Sequence, residues 1–258
     1  MISKAQVKFI RLLHQKKYRS SHLLFIAEGS KIAVDIIDSR LKVHKIYATA
    51  AWLIENKDIL ENHPDIEANE VSADEMEKIS ALDTPQDVLL VIGIPESNTI
   101  SIDDKAKIIL VADSIRDPGN LGTIVRICDW YGIKQLFCSE DCAEIYNPKT
   151  VRATMGSIGR VEVFYTDIKE MIHAQKGRKR YAATLNGNIN VHKLNNGEPV
   201  LLIIGNEAHG VSEEIISLCD DTIMIPRIGK AESLNASIAT AVLVDNLVRI
   251  NESNGVQP

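Results

Sequence analysis

The sequence predicts an α/β layer fold in two units, and three observations point to it. Short apolar runs of strand type alternate with amphipathic helical stretches along the chain, the pattern that packed α/β layers require. Residues 108–112 are continuously apolar, as a strand buried on both faces of a parallel sheet must be. Polar loops follow three strands, at 113–120, 205–210 and 226–235, and an open α/β sheet binds ligands outside the carboxyl ends of its strands.

The elements follow in order. Residues 4–16 read as an amphipathic helix capped by Ser3, with Val7, Ile10 and Leu13 at helical spacing and Lys4, Lys8, Arg11 and Lys16 over much of the rest. Strand 23–27 and helix 28–39 come next, then strand 43–48, helix 51–62, a short strand near Val71, helix 73–82 and strand 88–94. The stretch after Pro95 is polar and holds no sustained period, so residues 96–107 read as a linker. The second unit opens on strand 108–112, with helix 121–131 and strand 135–138 behind it. Residues 146–160 read as loop then helix. Strand 161–165, helix 169–174, strands 181–185 and 200–204, helix 212–218, strand 223–225 and a C-terminal helix after Asn235 complete the chain.

Composition sets bounds. With 258 residues, 45% hydrophobic and 25% charged, the chain has the balance of a soluble globular protein. No apolar run approaches the ~20 residues of a membrane span, and the N-terminus lacks the pattern of a secretory signal. Cys128, Cys138, Cys142 and Cys219 form no C-x-x-C pair and have no histidine cluster beside them. Reduced thiols in a cytoplasmic protein are therefore expected, and no metal site. The net charge of −6 conceals an asymmetry: Lys4, Lys8, Arg11, Lys16, Lys17 and Arg19 face no acid within residues 1–27. Such a segment on an acidic protein points to a polyanion. Lys176, Arg178, Lys179 and Arg180 form a second basic cluster.

The three polar loops carry the chemistry. There is no G-x-G-x-x-G after a strand and no G-x-x-x-x-G-K-[ST], which disfavours a dinucleotide fold and a P-loop NTPase. In the first loop, Asp117, Pro118 and Gly119 signal a turn, Asn120 can cap the helix that follows, and Arg126 lies six residues further on. In the second, GNEAHG, Gly205 lets a ligand approach the backbone, and Asn206 and Glu207 supply polar groups. In the third, Pro226 ends a strand, Gly229 permits a turn, and Ser233 and Asn235 are helix caps, where free backbone N–H groups can hold a ligand. Each residue alone is an ordinary turn, cap or exposed group, and these features by themselves also permit a small-molecule α/β enzyme.

Together the strings DPGNLG with Arg126, GNEAHG, and IPRIGKAESLNAS resemble, in order, the three motifs of the SpoU (TrmH-like) RNA 2′-O-ribose methyltransferases of the SPOUT superfamily. NPKTVRATMG at 147–156 also resembles family sequence, and residues 21–95 resemble the small L30e-like substrate-binding domain, behind a basic helix at 1–20. The resemblance implies a SPOUT domain over 108–258, a parallel sheet whose C-terminal segment threads a trefoil knot. It implies methylation of ribosomal or transfer RNA with S-adenosylmethionine. Leu185, Gly205, Ile225 and Leu234 would hold the cofactor, and Asn120, Arg126, Glu207, Ser233 and Asn235 would serve catalysis. Arg126 matches the family's proposed base, although a guanidinium rarely gives up its proton. The basic residues of 1–20, with Lys149 and Arg152, would contact RNA. The family also implies a homodimer with a shared site, and Ile238, Ala239, Val242, Leu243, Val244 and Leu247 put apolar groups on several faces of the last helix. An RNA-binding protein of weak catalysis, or a base methyltransferase, would share these motifs.

Overall fold

The chain enters its first helix through a capping box: Ser3 Oγ accepts the Gln6 N–H at 3.2 Å, and Gln6 Oε1 accepts the Ser3 N–H at 2.9 Å. In this computed structural model, residues 1–96, 102–175, 177–195, 197–206 and 208–253 are described. The linker read at 96–107 thus lies partly outside them. Two units are distinct: Met1–Asn98 with Glu144–Arg160, and Thr99–Ala143 with Val161–Pro258.

In the first unit the helix read at 4–16 divides into α1 (Lys4–Leu12) and α2 (Lys16–His22). The break lets Leu13 drop fully into the core, and the carbonyl it frees accepts a bond from Arg19 Nη1 at 3.0 Å. Then come β1 (Leu24–Glu28), α3 (Ser30–Ile37), β2 (Val43–Ala48), α4 (Ala50–Glu55), α5 (Lys57–Asn62), β3 (Glu67–Glu70), α6 (Ala73–Ile79) and β4 (Val88–Gly93). The expected helix 51–62 is cut at Asn56, whose Nδ2 bonds the Trp52 carbonyl at 2.9 Å in competition with the helical ladder. The sheet order is β1-β4-β2-β3, with β4 antiparallel to both neighbours and β2 parallel to β3. Ile10 and Leu13 join Ile26, Tyr47, Met76 and Leu89 in one core. The basic segment is therefore built into this unit.

Arg19 is a correction to the polyanion reading. Its side chain is buried at 1% exposure and clamps Glu144 in two bonds, Nε to Oε1 at 3.0 Å and Nη2 to Oε2 at 2.5 Å. Lys4, Lys8, Arg11, Lys16 and Lys17 are exposed.

The second unit begins with β5 (Ile108–Ala112), α7 (Pro118–Trp130) and β6 (Gln135–Cys138). The chain then gives α8 (Pro148–Thr154) and a 3₁₀ turn at Ser157–Gly159 to the first unit. Glycines make that docking possible: a Cβ would lie 2.6 Å from Asp35 at Gly156 and 2.5 Å from Ser39 at Gly159. Lys149 and Arg152 are exposed on α8, which lies in the sequence stretch 108–258 but packs with the first unit. The second unit resumes with β7 (Glu162–Tyr165), α9 (Ile168–Ala174), β8 (Lys179–Ala183), β9 (Ile189–Asn190), β10 (Val200–Ile204), α10 (Glu213–Ile216), β11 (Asp221–Met224) and α11 (Ala236–Ser253). Its seven strands run in the order β7-β6-β5-β10-β8-β11-β9, parallel at every pairing. The chain builds outward from β5 in one direction and then in the other, so the β5/β10 border is a topological switch point. No helix among the described residues is long and apolar enough to cross a membrane.

Breaking a buried ion pair by removing one partner costs about 3–5 kcal/mol, because the other charge stays buried. Arg19→Met is expected to destabilise the protein by about 3 kcal/mol, while the exposed Lys17→Met changes it by less than about 0.5 kcal/mol. Urea denaturation of the two variants checks this.

Candidate functional site

At the switch point the polar loops fasten one another. Asp113, directly after β5, is buried, and its Oδ2 accepts both the N–H and the hydroxyl of Ser212 at 2.9 and 3.0 Å. Asn206, after β10, donates from Nδ2 to the Ser114 carbonyl at 2.9 Å, while its Oδ1 accepts the Ala208 N–H at 2.8 Å. Asp141 braces the first loop from the side: Ser139 Oγ, Ser114 Oγ and Arg116 Nη2 donate to it at 2.7, 2.7 and 2.9 Å. Those bonds, led by Ser139, pull its carboxyl down to about 2.

The loop 205–210 closes on itself, with Asn206 and Gly210 exchanging backbone bonds at 3.0 and 2.8 Å. A Cβ on Gly205 would lie 2.1 Å from backbone atoms of Gly210 and Val211. Loop closure by itself therefore demands a glycine here. Glu207 lies outside the described residues.

Asp117, rather than Asn120, caps α7: its Oδ1 accepts the Asn120 N–H at 2.9 Å, and Pro118 fills the first helical position, where no N–H is needed. The Asn120 side chain is released from capping and meets Asn235, whose Nδ2 donates to Asn120 Oδ1 at 2.8 Å. Asn235 Oδ1 accepts from the N–H groups of Ser237 and Ile238 at 3.0 and 3.4 Å and so caps α11. One carboxamide therefore joins the first motif to the third.

Two apolar members of the expected site follow strand ends, and a third precedes the Asn235 cap. Leu185 follows β8 and is 62% exposed; Leu234 precedes the Asn235 cap and is 45% exposed. Ile225, just after β11, is half-buried, and Ser233 is exposed. Open apolar side chains at neighbouring carboxyl ends suit a flat apolar ring. Arg126 stands apart. It is exposed on α7, about 9 Å along the axis from Asn120 and roughly 240° around it. It shares its face with Trp130, which is 82% exposed.

Sequence reasoning missed Asp113, Ser114, Ser212 and Asp141. The one signal was an acid placed straight after a continuous apolar strand. The second basic cluster is structural where it is described: buried Arg178 donates to the carbonyls of Asp103, Asp104 and Ala106, and Arg180 pairs with Asp220. Lys176 lies outside the described residues. Among the described residues, no group of three His, Cys, Asp or Glu side chains could hold a metal ion, and all four cysteines are free.

Comparison with known proteins bears on this geometry. The model of the SpoU rRNA Methylase family matches residues 107–245, and that of the MRM3-like substrate binding domain matches residues 4–90. The chain is 29% identical over 244 residues to the 23S rRNA (guanosine(2553)-2'-O)-methyltransferase RlmP of Bacillus subtilis (strain 168), covering 94% of this chain and 95% of that protein. Among solved structures, a TrmH-family protein from Porphyromonas gingivalis is 30% identical with a TM-score of 0.83, covering 96% of this chain and 99% of the other. The AdoMet-bound rRNA methyltransferase of Sinorhizobium meliloti is 28% identical with a TM-score of 0.83, covering 96% and 97%.

Two glycine substitutions separate closure from turn. Gly205→Ala forces a Cβ into backbone and is expected to cost about 3 kcal/mol, the upper end for overpacking. At Gly229 a Cβ meets nothing within 4 Å, so Gly229→Ala should stay within about 0.5 kcal/mol of the parent. Thermal unfolding of both variants decides the point.

Proposed function

The chain belongs to the SpoU rRNA methylase family, and from that premise we propose that it transfers a methyl group from S-adenosylmethionine to a ribose 2′-hydroxyl of ribosomal RNA, in the cytoplasm. The observation that carries the reading is the fastening of all three motif loops at one sheet edge, through Asp113–Ser212, Asn206–Ser114 and Asn235–Asn120. A near full-length relative is named for this chemistry, and a similar structure is named as AdoMet-bound.

The residues fit the cofactor. Leu185, Ile225 and Leu234 would cover an adenine with apolar surface that is otherwise open, and the Gly205 backbone would border it. S-adenosylmethionine, when bound, supplies an electrophilic methyl group. The protein must then position the ribose and manage the hydroxyl proton. The Asn120–Asn235 pair holds the mouth of the pocket, and Ser233 presents its hydroxyl two residues before the cap. Glu207, with Ser233 and Asn235, would organise the pocket in this reading. Arg126 binds an RNA phosphate and steadies the alkoxide that develops on the ribose oxygen.

The position of Arg126, turned away from its own Asn120, supports a homodimer in which it serves the partner's pocket. Leu243, Val244 and Leu247 of α11 are core residues. Ile238 (54% exposed) and Trp130 are the apolar groups left outward on the packed α7–α11 pair, and a two-fold partner would cover them. The trefoil knot implied by the family belongs to the same proposal.

Incubation with methyl-labelled cofactor and ribosomal RNA from a strain lacking the gene tests the reaction. Label at a single nucleotide whose 3′ linkage resists alkali is the expected result. An alkali-sensitive site would mean base methylation, and no transfer despite cofactor binding would leave an RNA-binding protein. Asn235→Asp keeps the helix cap and loses the donor to Asn120, so it should stay folded while transfer falls at least tenfold, a change of about 1.4 kcal/mol.

Mixing tests the shared site. Arg126→Ala and Ser233→Ala should each be nearly inactive alone. Unfolded together and refolded at equal ratio, about half the dimers pair unlike chains, and each of these holds one intact site, so about a quarter of parental activity should return. No recovery, with unlike pairs shown to be present, would place both residues in one chain's site.

A further inference from the structure

The first unit holds a cleft of about 860 Å³ that none of the motifs touches. It opens where β1 and β2 begin and β4 ends. Tyr47 and Val91, both nearly inaccessible, form its floor with Leu24. Phe9 of α1 and His22 of α2 stand beside it with their rings edge to face, 5.2 Å apart at 75°. Lys42 and His44 project at the rim, both exposed. Arg40 adds positive charge, Lys45 is paired with Glu67 at 2.8 Å, and Glu96 is the one acid among the described lining residues. Gly93 keeps the cleft open beside His44: a Cβ there would lie 3.0 Å from Nε2.

We infer that this cleft binds an unpaired nucleotide of the RNA substrate, with the base against Phe9 and His22 and the backbone phosphates at Lys42 and His44. The inference rests on the proposed RNA substrate and adds a second point of contact to it. Aromatic faces beside cations are what single-stranded RNA requires, because every base offers a π-face and every linkage a negative charge. The volume lies within the range of small-ligand sites. A basic lining on a chain of net charge −6 gives the complementarity that a neutral or acidic occupant would lack. A paired helix would not fit, since its bases are stacked away from any side-chain platform.

The test uses the full chain and two labelled probes, a single-stranded dodecauridylate and a twelve-base-pair RNA duplex. Lys42→Ala/His44→Ala and His22→Ala change only exposed side chains, so both should fold normally. Each should weaken dodecauridylate binding roughly tenfold, in the range of one lost stacking or phosphate contact, and leave duplex binding within about twofold. S-adenosylmethionine affinity, read by calorimetry, should not change. Equal losses on both probes would reduce the cleft to a general phosphate contact, and unchanged or absent dodecauridylate binding would overturn the inference outright. Loss of cofactor binding by the parent protein would instead strike the proposed function, so the two failures are distinguishable.

Discussion

The Asn235 carboxamide is the point on which the motif end of the sheet depends. Its oxygen is committed to N–H groups at the start of α11, which leaves its nitrogen to donate, and Asn120 Oδ1 receives that bond. The loops after β5 and β11 thereby hold each other without any strand pairing between them. Asp113 with Ser212, and Asn206 with Ser114, do the same for the loops after β5 and β10. Asp113 is the buried member, and leaving it unpartnered would cost about 1–3 kcal/mol. The density of Asp, Asn and Ser at this edge therefore has a structural reason as well as a chemical one, and the two are not separable by deleting a residue. Substitutions that remove one bond and keep the other are what distinguish them.

Register explains how residues far apart in sequence arrive at one place. Ala112 lies opposite Ile204, so the loops that begin with Asp113 and Gly205 leave the sheet at the same level. Ala182 lies opposite Ile203, and Ala183 opposite Ile223, which brings Leu185 and Ile225 to that level too. A slip of one residue in any of these parallel pairings would turn the strand's buried side chains to its other face. Because β5 and β10 are apolar at all five positions, burial on both faces selects the strands, and the neighbouring polar loops then fix where they stop.

The sequence was most legible where a strand rich in apolar residues is bounded by polar turns. Strands 43–48, 108–112, 135–138 and 200–204 occupy the residues that their patterns marked. It misled where pairing, rather than hydropathy, draws the boundary. β8 begins at Lys179 because Lys179 lies opposite Val200, and β9 exists only as two residues beside β11. Charge counting failed at Arg19 for a related reason: a buried arginine and an exposed one read alike until the partner acid, 125 residues away, is placed. The motif strings mark loops that the fold brings together, yet Asp117 rather than Asn120 makes the cap, and loop closure gives Gly205 a structural reason of its own. A local string specifies which loops matter, and only the fold says which atoms they spend on each other.

The stretch at 144–160 has a consequence for any attempt to study the halves apart. It is a crossover between two parallel strands of the second unit, β6 and β7, and yet it packs in the first. Neither unit is a continuous segment. A fragment ending near residue 95 would lose Glu144 and leave the Arg19 charge buried without its acid. It would also lose Tyr146, whose ring packs on Phe25 at 4.8 Å. A fragment starting at 108 would carry Val151 and Ile158, both buried here, with nothing to bury them. Cutting at the polar linker is the natural choice from sequence, and it severs a core on one side while exposing apolar surface on the other. The proposed RNA contact in the first unit and the proposed methyl transfer in the second are for this reason to be measured on the whole chain, with point substitutions in place of truncation.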